Sequence, residues 1–403
     1  GSSTTLELSA ADGVLHFRIQ IIDDITGVDF IDVRWISPGG RQLRFPCFTG
    51  AAPNAGSDTN GTWDCAAPFP QYAEAGLWQP QYVSVRDKIN NTVSFGLQQG
   101  GLCEYSAPAS CIADVPQITV DSDPQDITAP DVQALQVSLD TQPRSFGASV
   151  DVDTSDRYQY VVFGIQATDD LSGVGGGFFF DRFEVVLRGP SNQWKSRQFN
   201  CSLTSGTTLS GNWECWFYLE AQTEPGIWEV QRLRVPDRTG NGGFSFNTYY
   251  SSDGTGRLCN QEGDCIAAPT IQVVGEGDGE PPTLASVGIA TDGADVVTTT
   301  LVTDGISGVS RVEVRFESVE TTQYQWCFAS LVVGTPNAGS WECTITFSEF
   351  AARGQWVLRL WVYDLAGNVR SYFRRADGQL CYWDNATSTQ ICQDFGDTDI
   401  ILG

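Results

Sequence analysis

The pentapeptide GTWDC (61–65) returns as GNWEC (211–215) and again as GSWEC (339–343). In an extended strand, residues two apart point to the same face, so the Trp and the Cys of each copy share one side while the acid faces the other. A Trp beside a Cys on an inward face is a core signature. Its threefold return means that the chain must be read for repeats before any local motif.

Working outward, the same landmarks flank each copy in the same order. Upstream lie DDITGV (23–28), DDLSGV (169–174) and DGISGV (304–309). Downstream come a second Gly-x-Trp (76–78, 226–228, 354–356), then VRDKINN, VPDRTGN and VYDLAGN, then Leu-Cys at 102–103, 258–259 and 380–381. The chain is one module written three times. The spacing of the tryptophans is too wide for helical solenoid repeats and suits whole domains. Acidic, Pro-bearing stretches without periodicity, DSDPQDITAP (121–130) and GEGDGEPP (275–282), mark the boundaries and give modules at 1–122, 123–277 and 278–403. Pro130 and the Pro281-Pro282 pair stiffen the start of each following strand.

Strand signals dominate. VLHFRIQII (14–22), YQYVVFGIQAT (158–168) and WVLRLWVY (356–363) alternate or run apolar between Gly, Asp, Asn and Pro, and no long amphipathic helix is visible. Seven or eight such segments per module predict an all-β chain of three tandem Ig-like antiparallel β-sandwich domains. In the first module, strands are expected near 5–10, 14–23, 29–37, 41–48, 61–66, 77–86, 92–98 and 115–120.

The 12 cysteines fall four to a module, with no Cys-x-x-Cys pair, which reads as disulfides rather than zinc. The expected bridges staple neighbouring strands beside the indole: Cys47 with Cys65, Cys201 with Cys215, Cys327 with Cys343. Three more close short loops: Cys103 with Cys111, Cys259 with Cys265, Cys381 with Cys392. Such usage belongs to a secreted or cell-surface, extracellular protein. The absence of methionine suits a mature chain freed of a signal peptide. No apolar run approaches the roughly 20 residues that span a bilayer.

With 49 acidic and 23 basic residues the net charge is -26, which excludes nucleic acid and anionic membrane as natural partners. Lys88 and Lys195 are the two lysines. A lysine-poor acidic surface stays soluble where salt screens its self-repulsion, which points to a saline or calcium-rich habitat, with plain secretory acidity as the alternative.

DITAPDVQAL (126–135) and GEPPTLASV (279–287), each followed by Asp-x-x-Ser-Gly-Val, and the third module's Tyr-Asp-x-Ala-Gly-Asn resemble the tandem bacterial Ig-like repeats of secreted and surface-attached proteins. The resemblance runs from each module's first strand to the Asp-Gly-Asn turn, although the four cysteines depart from the usual cysteine-free repeat. It implies an Ig-like sandwich in a structural, adhesive or spacer role, with no catalytic residues.

In Ig topology the loops after the second and sixth strands lie at one end of the sandwich, and the incoming linker reaches that end. This groups Asp23 with Asp87 and Asn91, Asp169 with Asp237 and Asn241, and Asp304 with Asp364 and Asn368. Carboxylates and amides together are hard oxygen ligands of the kind calcium takes. The competing reading is that these residues only form Asx turns. The first module, with no linker before it, should hold the weakest copy.

Catalysis finds little support. The single histidine, His16, lies in an alternating strand and has no counterpart in the other modules. No Gly-x-Ser-x-Gly elbow, His-Glu-x-x-His or phosphate loop is present. The expectation is a non-catalytic structural protein, the subunit of a filament or surface layer. It would self-associate end to end through 2–8 and 399–402 with its modules standing in line as a rod. The alternative is a cell-surface adhesin or glycan-binding module, with Trp383, Tyr249 or Tyr250 stacking on a sugar or receptor. For the six Gly-x-Trp indoles, core packing is the first reading and a carbohydrate platform the second.

Overall fold

The computed structural model describes residues 4–98, 101–107, 110–112, 115–175, 182–199, 201–241, 249–384 and 387–403. Among these residues every regular element is a strand. No helix long and apolar enough to cross a membrane is found among them. The fold is all-β and built from Ig-like sandwiches.

In the first module one sheet runs Thr4–Glu7, Ile118–Asp121, Gly76–Asp87, Thr92–Gln98, Gly101–Glu104 and Cys111–Ile112, with Val28–Ile36 and Leu43–Thr49 extending from Gly76–Asp87. Facing it is a three-stranded sheet, Gly13–Ile22, Asn60–Phe69 and Ala55–Ser57. The second module repeats the large sheet, but its facing sheet has four strands: Asp131–Leu139, Gln159–Thr168, Ser210–Leu219 and Ser202–Gly206. In the third, the long strand Tyr324–Thr335 pairs first with Val309–Ser318 and then with Ala338–Thr346, so it passes from one sheet to the other. Buried apolar side chains gather in three clusters, one inside each module.

The opening pentapeptide now has a residue-by-residue explanation. Within Asn60–Phe69, positions 61, 63, 65, 67 and 69 are buried in strict alternation. A Cβ at Gly61 would lie 2.5 Å from the Ser57 carbonyl oxygen, and at Gly211 or Gly339 it would lie 2.6 Å from that of Thr207 or Thr335, so the hairpin before each copy leaves room for hydrogen alone. The acid faces out, where Asp64 meets Arg18 at 2.6 Å and Glu214 meets Arg144 at 2.8 Å. The second Gly-x-Trp has a different cause. Gly76, Gly226 and Gly354 sit at φ of 117°, 127° and 105°, where side chains with a Cβ are strained. All six indoles are buried, between 0% and 7% exposed, so none is a sugar platform.

Six disulfides join the six expected pairs. Cys47 lies in one sheet and Cys65 in the facing one, so this bridge pins the corner where the chain changes sheets.

The modules do not stand in line. Beyond the contacts between successive modules, the third touches the first: Thr92 N donates to Thr322 Oγ1 at 3.0 Å, Asn90 Nδ2 to the Tyr324 carbonyl at 2.9 Å, and Arg86 Nη1 to Tyr324 Oη at 3.2 Å. The expected rod is therefore corrected to a folded-back arrangement. Net charge argued for extension, but it is a poor guide to a contact made by neutral amides, hydroxyls and one arginine. The N-terminal stretch is also not a free end, since Thr4–Glu7 pairs in parallel with Ile118–Asp121 and Leu8 is fully buried.

Candidate functional site: two buried carboxylate trios

The sequence DxxGN or DxxNN at the end of the strand that carries the second Gly-x-Trp folds as an Asx turn in every module. Asp87 Oδ1 accepts Asn91 N at 2.8 Å, Asp237 Oδ1 accepts Asn241 N at 2.8 Å, and Asp364 Oδ1 accepts Asn368 N at 2.7 Å. The asparagine amide then returns to the other carboxylate oxygen, at 2.7, 2.8 and 2.6 Å respectively. The upstream loop does the same for Asp23, Asp169 and Asp304, each accepting the N–H of the glycine four residues on. Turn formation is thus a real role for all nine predicted residues.

In the second and third modules the incoming linker adds a third carboxylate that the sequence reading did not single out. Asp126 Oδ2 accepts Ser172 N at 2.9 Å, and Asp278 Oδ2 accepts Ser307 N at 3.0 Å. The preceding module holds each linker residue in place: Asp126 N donates to the Tyr72 carbonyl and Asp278 N to that of Gln222, both at 2.7 Å. Tyr72 and Gln222 adopt positive φ, 69° and 57°, in equivalent turns. Gln42 Nε2 donates to the Asp126 carbonyl at 2.7 Å and Gln193 Nε2 to that of Gly279 at 2.5 Å. A cation then caps the Asx turn across the joint, Arg44 at the Thr239 carbonyl (2.6 Å) and Lys195 at that of Ala366 (2.9 Å). The two joints are built alike.

The outcome is two trios, Asp126/Asp169/Asp237 and Asp278/Asp304/Asp364, each with one oxygen per residue within 4.8 Å of the others and every member buried. Among the described residues, Asp23 and Asp87 are not joined by a third acid. Both Asp126 and Asp278 stand four residues before a proline, but that spacing alone does not say which linker acid turns inward.

Burial and mutual repulsion push these carboxyl groups up. Burial, then the Asp126 charge, holds Asp237 well above the usual carboxylate range. Burial also raises Asp169 to about 6 and Asp364 to about 7, and it raises Asp304. A carboxyl raised in the folded state binds more protons there than when unfolded, so stability falls as pH rises from the ordinary carboxylate range through about 6 and 7. In chelator, the second and third modules should be more stable at pH 5 than at pH 8, by about 1–3 kcal/mol. Denaturant melts across pH check this, and a flat or rising profile contradicts it.

The three aromatic expectations divide. Trp383 and Tyr249 are exposed, but Tyr250 is buried. Its hydroxyl accepts Val132 N at 3.0 Å, as Tyr372 accepts Leu284 N at 3.0 Å, so it tethers a strand rather than facing solvent. His16 lies exposed on Gly13–Ile22.

A family model described as a domain of unknown function (DUF7743) matches residues 276–398, which include the second trio. No curated protein matches the sequence. Among solved structures, a DUF3823 family protein from Bacteroides ovatus ATCC 8483 is 10% identical with a TM-score of 0.19, the alignment covering 57% of this chain and 96% of that one. The N-terminal eight Ig domains of Down Syndrome Cell Adhesion Molecule are 9% identical with a TM-score of 0.22, covering 92% of this chain and 39% of that chain. Superpositions this loose carry no argument, and the sandwich assignment rests on the strand pairing itself.

Proposed function

We propose that the chain is a non-catalytic extracellular structural protein, a tandem array of the bacterial Ig-like kind, that assembles with copies of itself by taking an added strand on Gly13–Ile22. One comparison between modules carries this reading. In the second and third modules an opening strand, Asp131–Leu139 or Thr283–Asp292, pairs with Gln159–Thr168 or Asp295–Thr303 and flanks its inward row. Phe163, Ile165, Thr298 and Thr300 are at most 1% exposed as a result. Among the described residues, the three-stranded sheet of the first module ends at Gly13–Ile22.

The equivalent row there is Phe17, Ile19 and Ile21, and it is only half-buried. Cross-strand partners fix the equivalence, since Ile19 faces Trp63 as Ile165 faces Trp213 and Thr300 faces Trp341. The uncovered module therefore carries a more apolar row than the covered third one. An open edge backed by such a row is a template for strand addition. The tyrosine tether is also gone: Phe95 faces Val83 where Tyr250 faces Leu233 and Tyr372 faces Leu360. At the other end, Ile400–Leu402 offers a second edge, with Ile401 81% exposed. The disulfides support an oxidising, extracellular setting.

Sedimentation velocity over a concentration series, at low and high salt, tests the assembly. A peptide of residues 130–139, the sequence of the covering strand of the second module, should compete and shift the distribution to monomer. A chain that stays monomeric throughout, or an assembly indifferent to the peptide, overturns the reading in favour of the adhesin or glycan-binding alternative.

A further inference from the structure

We propose that each carboxylate trio is a calcium site, so that one ion locks the first module to the second and another locks the second to the third. Three acids gathered out of water would by themselves repel. Lys195, whose field reaches Asp364, gives its Nζ to Glu220 and to the Ala366 carbonyl.

A second observation points to a ligand. Asn368, 3% exposed, uses its amide nitrogen on Asp278 and Asp364, yet its Oδ1 has no hydrogen-bond partner. Asp169, 9% exposed, spends Oδ1 on the N–H groups of Leu171 and Gly173 and leaves Oδ2 with none. The hydroxyls of Ser172 and Ser307, each on the residue whose N–H holds the linker carboxylate, are likewise buried without a partner. Buried oxygens left unsatisfied beside three carboxylates are costly in an empty site and are what a hard cation uses. The donors are oxygens throughout, with no His or Cys, which excludes the zinc and copper classes. Several ligands drawn from three separate chain segments suit the larger, geometrically tolerant calcium better than magnesium.

Each trio also spans a joint. Asp126 and Asp278 are hydrogen-bonded through their backbone to the preceding module, while the other two acids belong to the following one, so binding restrains one module against the next.

The full chain, stripped with chelator and titrated with calcium chloride in a calorimeter, should bind two ions. Asp126→Asn and Asp278→Asn should each remove one site and leave the other as an internal control of folding, and the double variant should bind none. Calcium at about a hundredfold over Kd should raise the melting temperature by on the order of 10 °C. Magnesium should bind at least tenfold more weakly. Absence of heat and of any melting shift at millimolar calcium overturns the proposal. So does binding that survives the double substitution, or magnesium binding as well as calcium, since either outcome means diffuse attraction to an acidic surface. None of these results depends on whether copies of the chain assemble.

Discussion

Replacing Trp228 by alanine is expected to destabilise the second module by about 3–5 kcal/mol, the cost of emptying a fully enclosed aromatic site. Trp228 is 0% exposed, and its Nε1 donates to the Glu224 carbonyl at 2.9 Å. A Cβ on Gly189 would come within 2.7 Å of its ring, so the opposite turn is moulded to the indole. The Lys195 ammonium lies 5.5 Å from the ring centroid, which places the indole directly beneath the joint to the third module. Loss of the indole removes packing inside the module and the floor under Lys195. Trp78 and Trp356 repeat the arrangement, with Nε1 donating to Glu74 at 2.7 Å and Ala352 at 2.9 Å. Trp383→Ala, at a site 57% exposed, is the control and should stay within about 0.5 kcal/mol. Equilibrium unfolding in denaturant distinguishes the two, and equal, small losses would remove the indoles from the core account.

Second in size is the corner disulfide. Substituting alanine for both Cys201 and Cys215 should cost about 3 kcal/mol, because the bridge closes a loop with a sequence separation of 14. Cys215 is fully buried beside Phe163, its cross-strand partner, so the alanine also loses contact there. The hairpin bridge Cys259–Cys265, with a separation of 6, should cost less, about 2 kcal/mol. Denaturant midpoints of the two double variants give the order, and a larger loss from the hairpin pair would contradict it.

What was legible in the sequence was whatever depends on neighbours along a strand. Period-two patterning located the first module's main strands within a few residues, and Trp63 and Cys65 do share the inward face. The short strands Ala55–Ser57, Gly101–Glu104 and Cys111–Ile112 escaped because they lack an alternating run and exist through hairpin pairing. Both loop halves of each trio could be placed from Ig connectivity. Asp126 and Asp278 could not be singled out, because which acid of an acidic linker turns inward depends on Tyr72 and Gln222 of the preceding module. The contact of Tyr324 with Arg86 and Asn90 was likewise illegible, since it joins surfaces more than two hundred residues apart with no shared pattern. Tyr250 looked like a surface aromatic until its hydroxyl was seen to receive Val132 N.

Among the described residues Gly13–Ile22 is an open edge, and electron cryo-microscopy of the assembled protein examines most directly what pairs with it. The account predicts density for an extra strand lying antiparallel to Gly13–Ile22, contributed by a neighbouring copy, with apolar side chains closing over Phe17, Ile19 and Ile21. A map in which that edge faces solvent while copies meet through other surfaces would contradict it.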